Sequence, residues 1–271
     1  MPVNHVGGEA MHLTVRGVSV YYEQHGGGAQ DVLLLHGWGC STKLWQPITD
    51  RLSARARVTV IDFPGHGQSG RPPEPWGAED FARMTAELIE TLGIAGCDVI
   101  GHSHGGRVAL LLAAQHPALL RRLIVTGAAG LRAEPTPEQQ RRSARYKRLR
   151  AINDMMDRMR VFGPLPSRTR EALIQRYGSP DYRALDAEMR QTFVKVVNFD
   201  ITPHLSSIQA PTLLLWGSAD TETPLWMGQR MESLIPDAGL VVLDEGGHYA
   251  YLEKSSDFLR ITEHFLFGGP T

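Results

Sequence analysis

The feature that most limits what this chain can fold into is an alternation of short, unbroken apolar runs with longer stretches of helical period. The runs are Val32-Leu33-Leu34-Leu35, Val58-Thr59-Val60-Ile61, Val99-Ile100, Leu123-Ile124-Val125, Leu213-Leu214-Leu215 and Val241-Val242-Leu243. A strand with apolar residues at successive positions is buried on both faces, the situation of a parallel sheet with helices above and below it. The stretches between supply the cover: Phe81, Met84, Leu88, Ile89 and Leu92 share one helical face, and Glu79, Arg83, Glu87 and Glu90 the opposite one. Two shorter strand patterns, residues 13–15 and 18–23, precede a turn at glycines 26–28. The pattern predicts an α/β protein whose mostly parallel sheet is flanked by helices.

The alternation fails once. From 131 to 204 there is no strand pattern, only two apolar stripes at helical spacing: Tyr146, Leu149, Ile152, Met156 and Met159, then Leu185, Met189, Phe193 and Val196 or Val197. Residues 131–204 are therefore expected as a helical insertion into a core made of 1–130 and 205–271. Between Leu131 and Arg190 stand 14 Lys or Arg against 8 Asp or Glu, while the whole chain has a net charge of only -1. That balance offers no general attraction to nucleic acid or to an anionic membrane. The basic insertion reads as the solvated face of amphipathic helices, with a landing surface for an acidic partner as the sharper alternative. Two cysteines, Cys40 and Cys97, are too few for a disulfide framework, and the first ten residues have no apolar signal core. The longest apolar run, residues 108–114, is far short of the roughly 20 residues that cross a bilayer. A cytoplasmic protein without a membrane span is expected.

Chemistry enters at Gly101-His102-Ser103-His104-Gly105, a G-x-S-x-G sequence lying after one apolar run and before a helical one. A turn that tight presents the serine hydroxyl beyond the strand's end and leaves space only for glycine two residues to either side. A serine hydroxyl is hardly ionised at neutral pH, so it needs a general base, usually a histidine oriented by a carboxylate. His248, in Gly246-Gly247-His248-Tyr249, and Asp220, in Gly217-Ser218-Ala219-Asp220, both follow predicted strands, which places them at the same sheet edge as Ser103. An oxyanion formed there would need two backbone N–H donors, each worth about 3 kcal/mol. His104 and Trp38, the latter in the glycine-rich turn His36-Gly37-Trp38-Gly39, are the candidates, leaving their side chains free to shape the pocket.

These segments, with Asp62-Phe63-Pro64-Gly65-His66-Gly67-Gln68-Ser69 and the Pro224 loop, together resemble the α/β-hydrolase superfamily over nearly the whole chain. The resemblance implies an eight-stranded, mostly parallel sheet with a helical cap inserted after the sixth strand. It implies Ser103 as nucleophile, His248 as base and Asp220 as acid, in the superfamily's chain order. A serine at the elbow is similar to the esterase branch, not to the branches that use aspartate there. The segment 62–69 resembles a structural element of the family. His104 is less usual in its position than an apolar residue or glutamine, which implies a more polar acyl pocket.

The expected activity is therefore carboxylic ester hydrolysis through an acyl-enzyme, with no cofactor and no metal. Cys40 lacks an elbow and reads as a small buried residue. Trp38, His104, Tyr146, Met156 and Tyr249 are the candidate substrate contacts. Alternatives are demethylation of a pimeloyl group on an acidic acyl-carrier protein held by the basic insertion, C–C bond hydrolysis, aminopeptidase action, or a ligand receptor that retains a triad.

Overall fold

A computed structural model describes residues 9–132, 137–158 and 165–268. Its eight strands are β1 (Glu9–Val15), β2 (Val18–His25), β3 (Asp31–Leu35), β4 (Arg57–Ile61), β5 (Cys97–His102), β6 (Leu120–Thr126), β7 (Thr212–Gly217) and β8 (Ala238–Leu243). They form one sheet in the order β1-β2-β4-β3-β5-β6-β7-β8. β1 and β2 pair antiparallel, β2 joins β4 antiparallel, and every later neighbour is parallel. Each of the six short apolar runs named first in the sequence lies inside one of these strands.

The helices are α1 (Gln46–Leu52), α2 (Ala78–Leu92), α3 (His104–Gln115), α4 (Pro137–Arg158), α5 (Leu165–Tyr177), α6 (Pro180–Ala184), α7 (Ala187–Val197), α8 (Leu225–Leu234), α9 (Ala250–Glu253) and α10 (Ser255–Phe267). Successive strand residues point to opposite faces, which makes two apolar layers. Leu33, Leu35, Val99, Val125 and Leu214 face one layer with residues of α2, α3 and α8. Val32, Leu34, Ile100, Ile124 and Leu215 face the other, with Trp45, Ile48 of α1, Tyr251 of α9 and Phe258 of α10.

Strand order locates the chemistry. β3 has β4 on one side and β5 on the other, so the direction in which the sheet grows reverses at β3. The chain leaves β3 and β5 in opposite directions, opening a crevice beyond their carboxyl ends where ligands of open α/β sheets bind.

The chain divides into two compact units, residues 1–131 with 195–271, and Arg132–Val194. The second unit is all-helical among its described residues. It ends ten residues before the expected 204, because the end of α7 and the turn after it belong to the main core: Val196, Ile201 and Leu205 are buried there, and Lys195 Nζ donates to the Pro75 carbonyl at 2.6 Å. Of the alternatives at the end of the second stripe, Val196 is buried and Val197 exposed. In the first stripe Ile152 is exposed and Tyr146, Leu149 and Met156 are half-buried; Met159 lies outside the described residues.

Candidate active site

Ser103 sits between β5 and α3 with φ 52° and ψ −109°, a backbone conformation costing about 1–3 kcal/mol for a residue other than glycine. The surroundings enforce it. Its N–H donates to the Thr126 carbonyl, and its own carbonyl accepts from Arg107 and Ala129 at 3.0 and 3.1 Å. A Cβ on Gly101 would stand 2.5 Å from the Gly105 carbonyl oxygen, and one on Gly105 would stand 2.1 Å from that of Leu35. Both glycines are thus steric requirements of the turn, as the motif implies.

Asp220 and His248 come together on the loops after β7 and β8. His248 Nδ1 donates to Asp220 Oδ2 at 2.9 Å, and the aspartate is buried. Burial alone would raise the Asp220 pKa, but bonds from His248 and from the Thr223 backbone and hydroxyl outweigh it and hold the carboxyl below its ordinary value. Asp220 Oδ1 accepts the N–H groups of Glu222 and Thr223, each at 2.9 Å. Thr223 Oγ1 donates to Asp220 Oδ2 at 2.7 Å and lies 3.3 Å from His248 Nδ1. On the opposite edge of the ring, the exposed Glu222 carboxylate lies 3.5 Å from His248 Nε2.

His102 ties this pair to the serine's own turn. Its Nε2–H donates to the His248 carbonyl at 3.0 Å, and its ring packs against His248, Tyr249 and Tyr251. A carbonyl only accepts, so the proton resides on Nε2. Burial, helped by the neighbouring His248, lowers the His102 pKa to about 3, and the ring stays neutral.

The turn after β3 approaches from the other side: a Cβ on Gly37 would stand 2.8 Å from His102 Nδ1 and 3.3 Å from Ser103 Cβ. That contact brings the turn carrying Trp38 against Ser103, and the His104 N–H, at the first residue of α3, has no helical carbonyl to bond. His36 holds the turn. Its Nδ1–H donates to the Gly37 carbonyl at 2.7 Å, and its Nε2 accepts the Phe63 N–H at 2.9 Å. Burial keeps it neutral, with a pKa of about 3. Asp62 is likewise structural, accepting the N–H groups of Thr42 and Gln68, each at 2.7 Å.

Trp38 and His104 form one wall, with ring centroids 5.4 Å apart; the buried His104 ring also meets Phe63 and Phe81. Tyr249 packs beside His102 and lies with its hydroxyl 3.8 Å from Cys40 Sγ. Cys40 is half-buried, not buried as expected, on the turn after β3, where its Sγ lies 3.6 Å from the Trp38 carbonyl. Tyr146 and Met156 are in α4 of the helical unit, where the Tyr146 ring is 5.9 Å from Tyr177.

A family model for the α/β hydrolase fold matches residues 32–255. The chain belongs to the α/β-hydrolase fold family. It is an enzyme with hydrolase activity. A pimeloyl-(acyl-carrier protein) methyl ester esterase of Neisseria meningitidis serogroup C is 30% identical over 252 residues, spanning 88% of this chain and 93% of that protein. A 2-hydroxy-6-oxononadienedioate/2-hydroxy-6-oxononatrienedioate hydrolase of Burkholderia vietnamiensis is 29% identical, spanning 91% of this chain and 90% of its own. A crystal structure of a bacterial membrane phospholipase A superposes with a TM-score of 0.75 at 26% identity, covering 97% of this chain and 86% of that one.

Sequence reasoning passed over Thr223 and the anchoring role of His102. Thr223 had a usable signal in its place three residues after a loop aspartate, the spacing at which a side-chain oxygen caps a turn. The His102 bond spans 146 residues of chain and leaves no local trace.

Proposed function

We propose that this hydrolase cleaves carboxylic esters through an acyl-enzyme on Ser103, with His248 as base and Asp220 as the carboxylate that orients it. The observation that carries the reading is the 2.9 Å bond from His248 Nδ1 to a buried, ionised Asp220 at the sheet edge where Ser103 is held in a strained turn. A carboxylate on Nδ1 keeps that proton in place and leaves Nε2 as the basic nitrogen. Ser103 attacks the acyl carbonyl while His248 takes its proton. The N–H groups of His104 and Trp38 receive the oxyanion, and His248 returns the proton to the departing alkoxide. Water, activated by the same imidazole, then releases the acid.

Trp38, His104 and Tyr249 contact the substrate near the reacting carbonyl. We place the protein in the cytoplasm, a setting that two free cysteines support; no described helix is long and apolar enough to cross a membrane. The test is hydrolysis of short p-nitrophenyl esters by Ser103→Ala: activity should vanish with an unchanged melting temperature, and near wild-type turnover would reject the reading. A parallel panel with thioesters, amides and C–C substrates separates the ester reading from amide or C–C cleavage. Stoichiometric labelling of Ser103 without steady-state turnover would favour a receptor.

A second reading narrows the substrate to an ester carried on an acidic carrier protein. Between α4 and α5 lies a groove of about 390 Å³ lined by Arg141, Arg145 and Arg176 with Glu138 and Tyr177. Three guanidinium groups in one groove suit the phosphate or carboxylates of such a carrier. Arg141, Arg145 and Arg176 changed together to Glu should slow a carrier-bound methyl ester about tenfold or more at low salt and remove its salt sensitivity. Unaltered, salt-insensitive kinetics on that substrate would count against it.

A further inference from the structure

Directly behind the nucleophile, α3 carries two buried polar side chains with unbonded nitrogens: both ring nitrogens of His104 and Nε of Arg107. His104 and Arg107 stand three residues apart on one face of the helix, 2% and 5% exposed. Arg107 Nε and both ring nitrogens of His104 lack hydrogen bonds within the protein. No carboxylate among the described residues pairs with Arg107; burial is the one influence on its pKa, lowering it to about 10, so the group stays charged at neutral pH. Its Nε lies 3.4 Å from where a Cβ on Gly130 would stand, beside Ile201. A larger residue at 130 would crowd it.

An unpaired buried cation is costly, and a hydrophobic side chain of similar size would cost nothing at this position. The guanidinium has a planar fork that fits a carboxylate through two parallel bonds. Arg107 follows Ser103 by four residues, about one helical turn or 6 Å along the axis. An anion on its fork would therefore be a few bonds from a carbonyl at Ser103. The rings of Phe63 and Phe81 pack against His104, so its polar nitrogens lie in an apolar setting.

We propose that Arg107, with His104 beside it, anchors a carboxylate on the acyl part of the substrate, making the preferred substrates monoesters of short dicarboxylic acids. The assignment deepens the ester-hydrolase reading and rests on it. Arg107 is a specificity-determining residue here, and His104 supplies a second polar contact in addition to its backbone N–H.

The test compares kcat/KM for monomethyl adipate and for methyl hexanoate, which has the same chain length without the carboxylate. The wild type should favour the anionic ester, and R107M should lower that ratio by about 10- to 100-fold, the value of a charged hydrogen-bonded contact. R107K, which keeps the charge and loses the fork, should recover part of it. A ratio unchanged in R107M, with both substrates slowed in step, would overturn the proposal, because Arg107 would then serve the oxyanion or the fold. R107Q, close in volume and still a donor, takes the place of R107M if that variant does not fold, and the same ratio decides. Calorimetric binding of adipate and hexanoate to S103A separates the two readings. Tighter binding of adipate that is lost in S103A/R107M supports the anchor even if no ester is turned over. Equal affinities overturn it even if esters are hydrolysed.

Discussion

Thr223 occupies a position where one hydroxyl decides how the Asp220 carboxylate is held against His248. It donates to the same Asp220 oxygen that receives the His248 proton, while its backbone N–H bonds the other oxygen. The carboxylate is thereby fixed before the histidine arrives, and its free lone pairs are filled in a buried setting where unmet ones are expensive. Thr223→Val keeps shape and backbone and removes the hydroxyl. We expect kcat on a p-nitrophenyl ester to fall by about fivefold, in keeping with about 1 kcal/mol for one hydrogen bond, with KM little changed. Wild-type kcat would show that the backbone bonds alone orient Asp220. His102 is a second such residue, bonding the His248 carbonyl from the position next to Ser103. The sequence shows both side chains flanking the motif residues, and neither role can be read there. Each depends on a partner brought close by folding.

Among the elements, the β5–α3 turn is the one most completely specified by local sequence. Gly101 and Gly105 are required because carbonyls of the same turn and of β3 occupy the volume a Cβ would need. Gly105→Ala drives a methyl to within 2.1 Å of the Leu35 carbonyl oxygen, a backbone atom in the centre of the sheet that has no room to yield. We expect a loss of more than about 3 kcal/mol or failure to accumulate folded protein, read as the urea midpoint. A midpoint equal to the wild type would mean that the turn opens without cost. Strand positions were equally legible, since unbroken apolar runs such as Leu213-Leu214-Leu215 are what a doubly covered strand demands. The end of the helical insertion was not. Val196 and Val197 both fit the helical stripe, and only the core they reach decides between them.

Across the whole molecule, four histidines near the Ser103 turn are stored neutral. Burial lowers the pKa of His36 and His102 to about 3 and depresses His66 and His104 as well. In the unfolded chain these imidazoles titrate near 6.5, so below about pH 6.5 the unfolded state binds more protons than the native state, down to about pH 3 for His36 and His102. Stability is therefore fully present above pH 6.5 and lost as pH falls, by about 1.4 kcal/mol per pH unit for each histidine that remains neutral. The melting temperature should fall steeply between pH 7 and 5, and a flat profile would show that these rings are protonated in the native state.

The residues alone determined the α/β class, the strand positions, the serine elbow and the three loops that carry Ser103, Asp220 and His248. Those follow from periodicity and from the steric demands of one turn, which act over a few neighbours. Folding decided what meets at the sheet edge: Thr223 on Asp220, His102 on His248, Gly37 against Ser103, and an arginine left without a carboxylate. Such contacts join segments far apart in the chain, and burial turns ordinary histidines into neutral ones. Neither distance nor burial is a property of a local stretch of sequence.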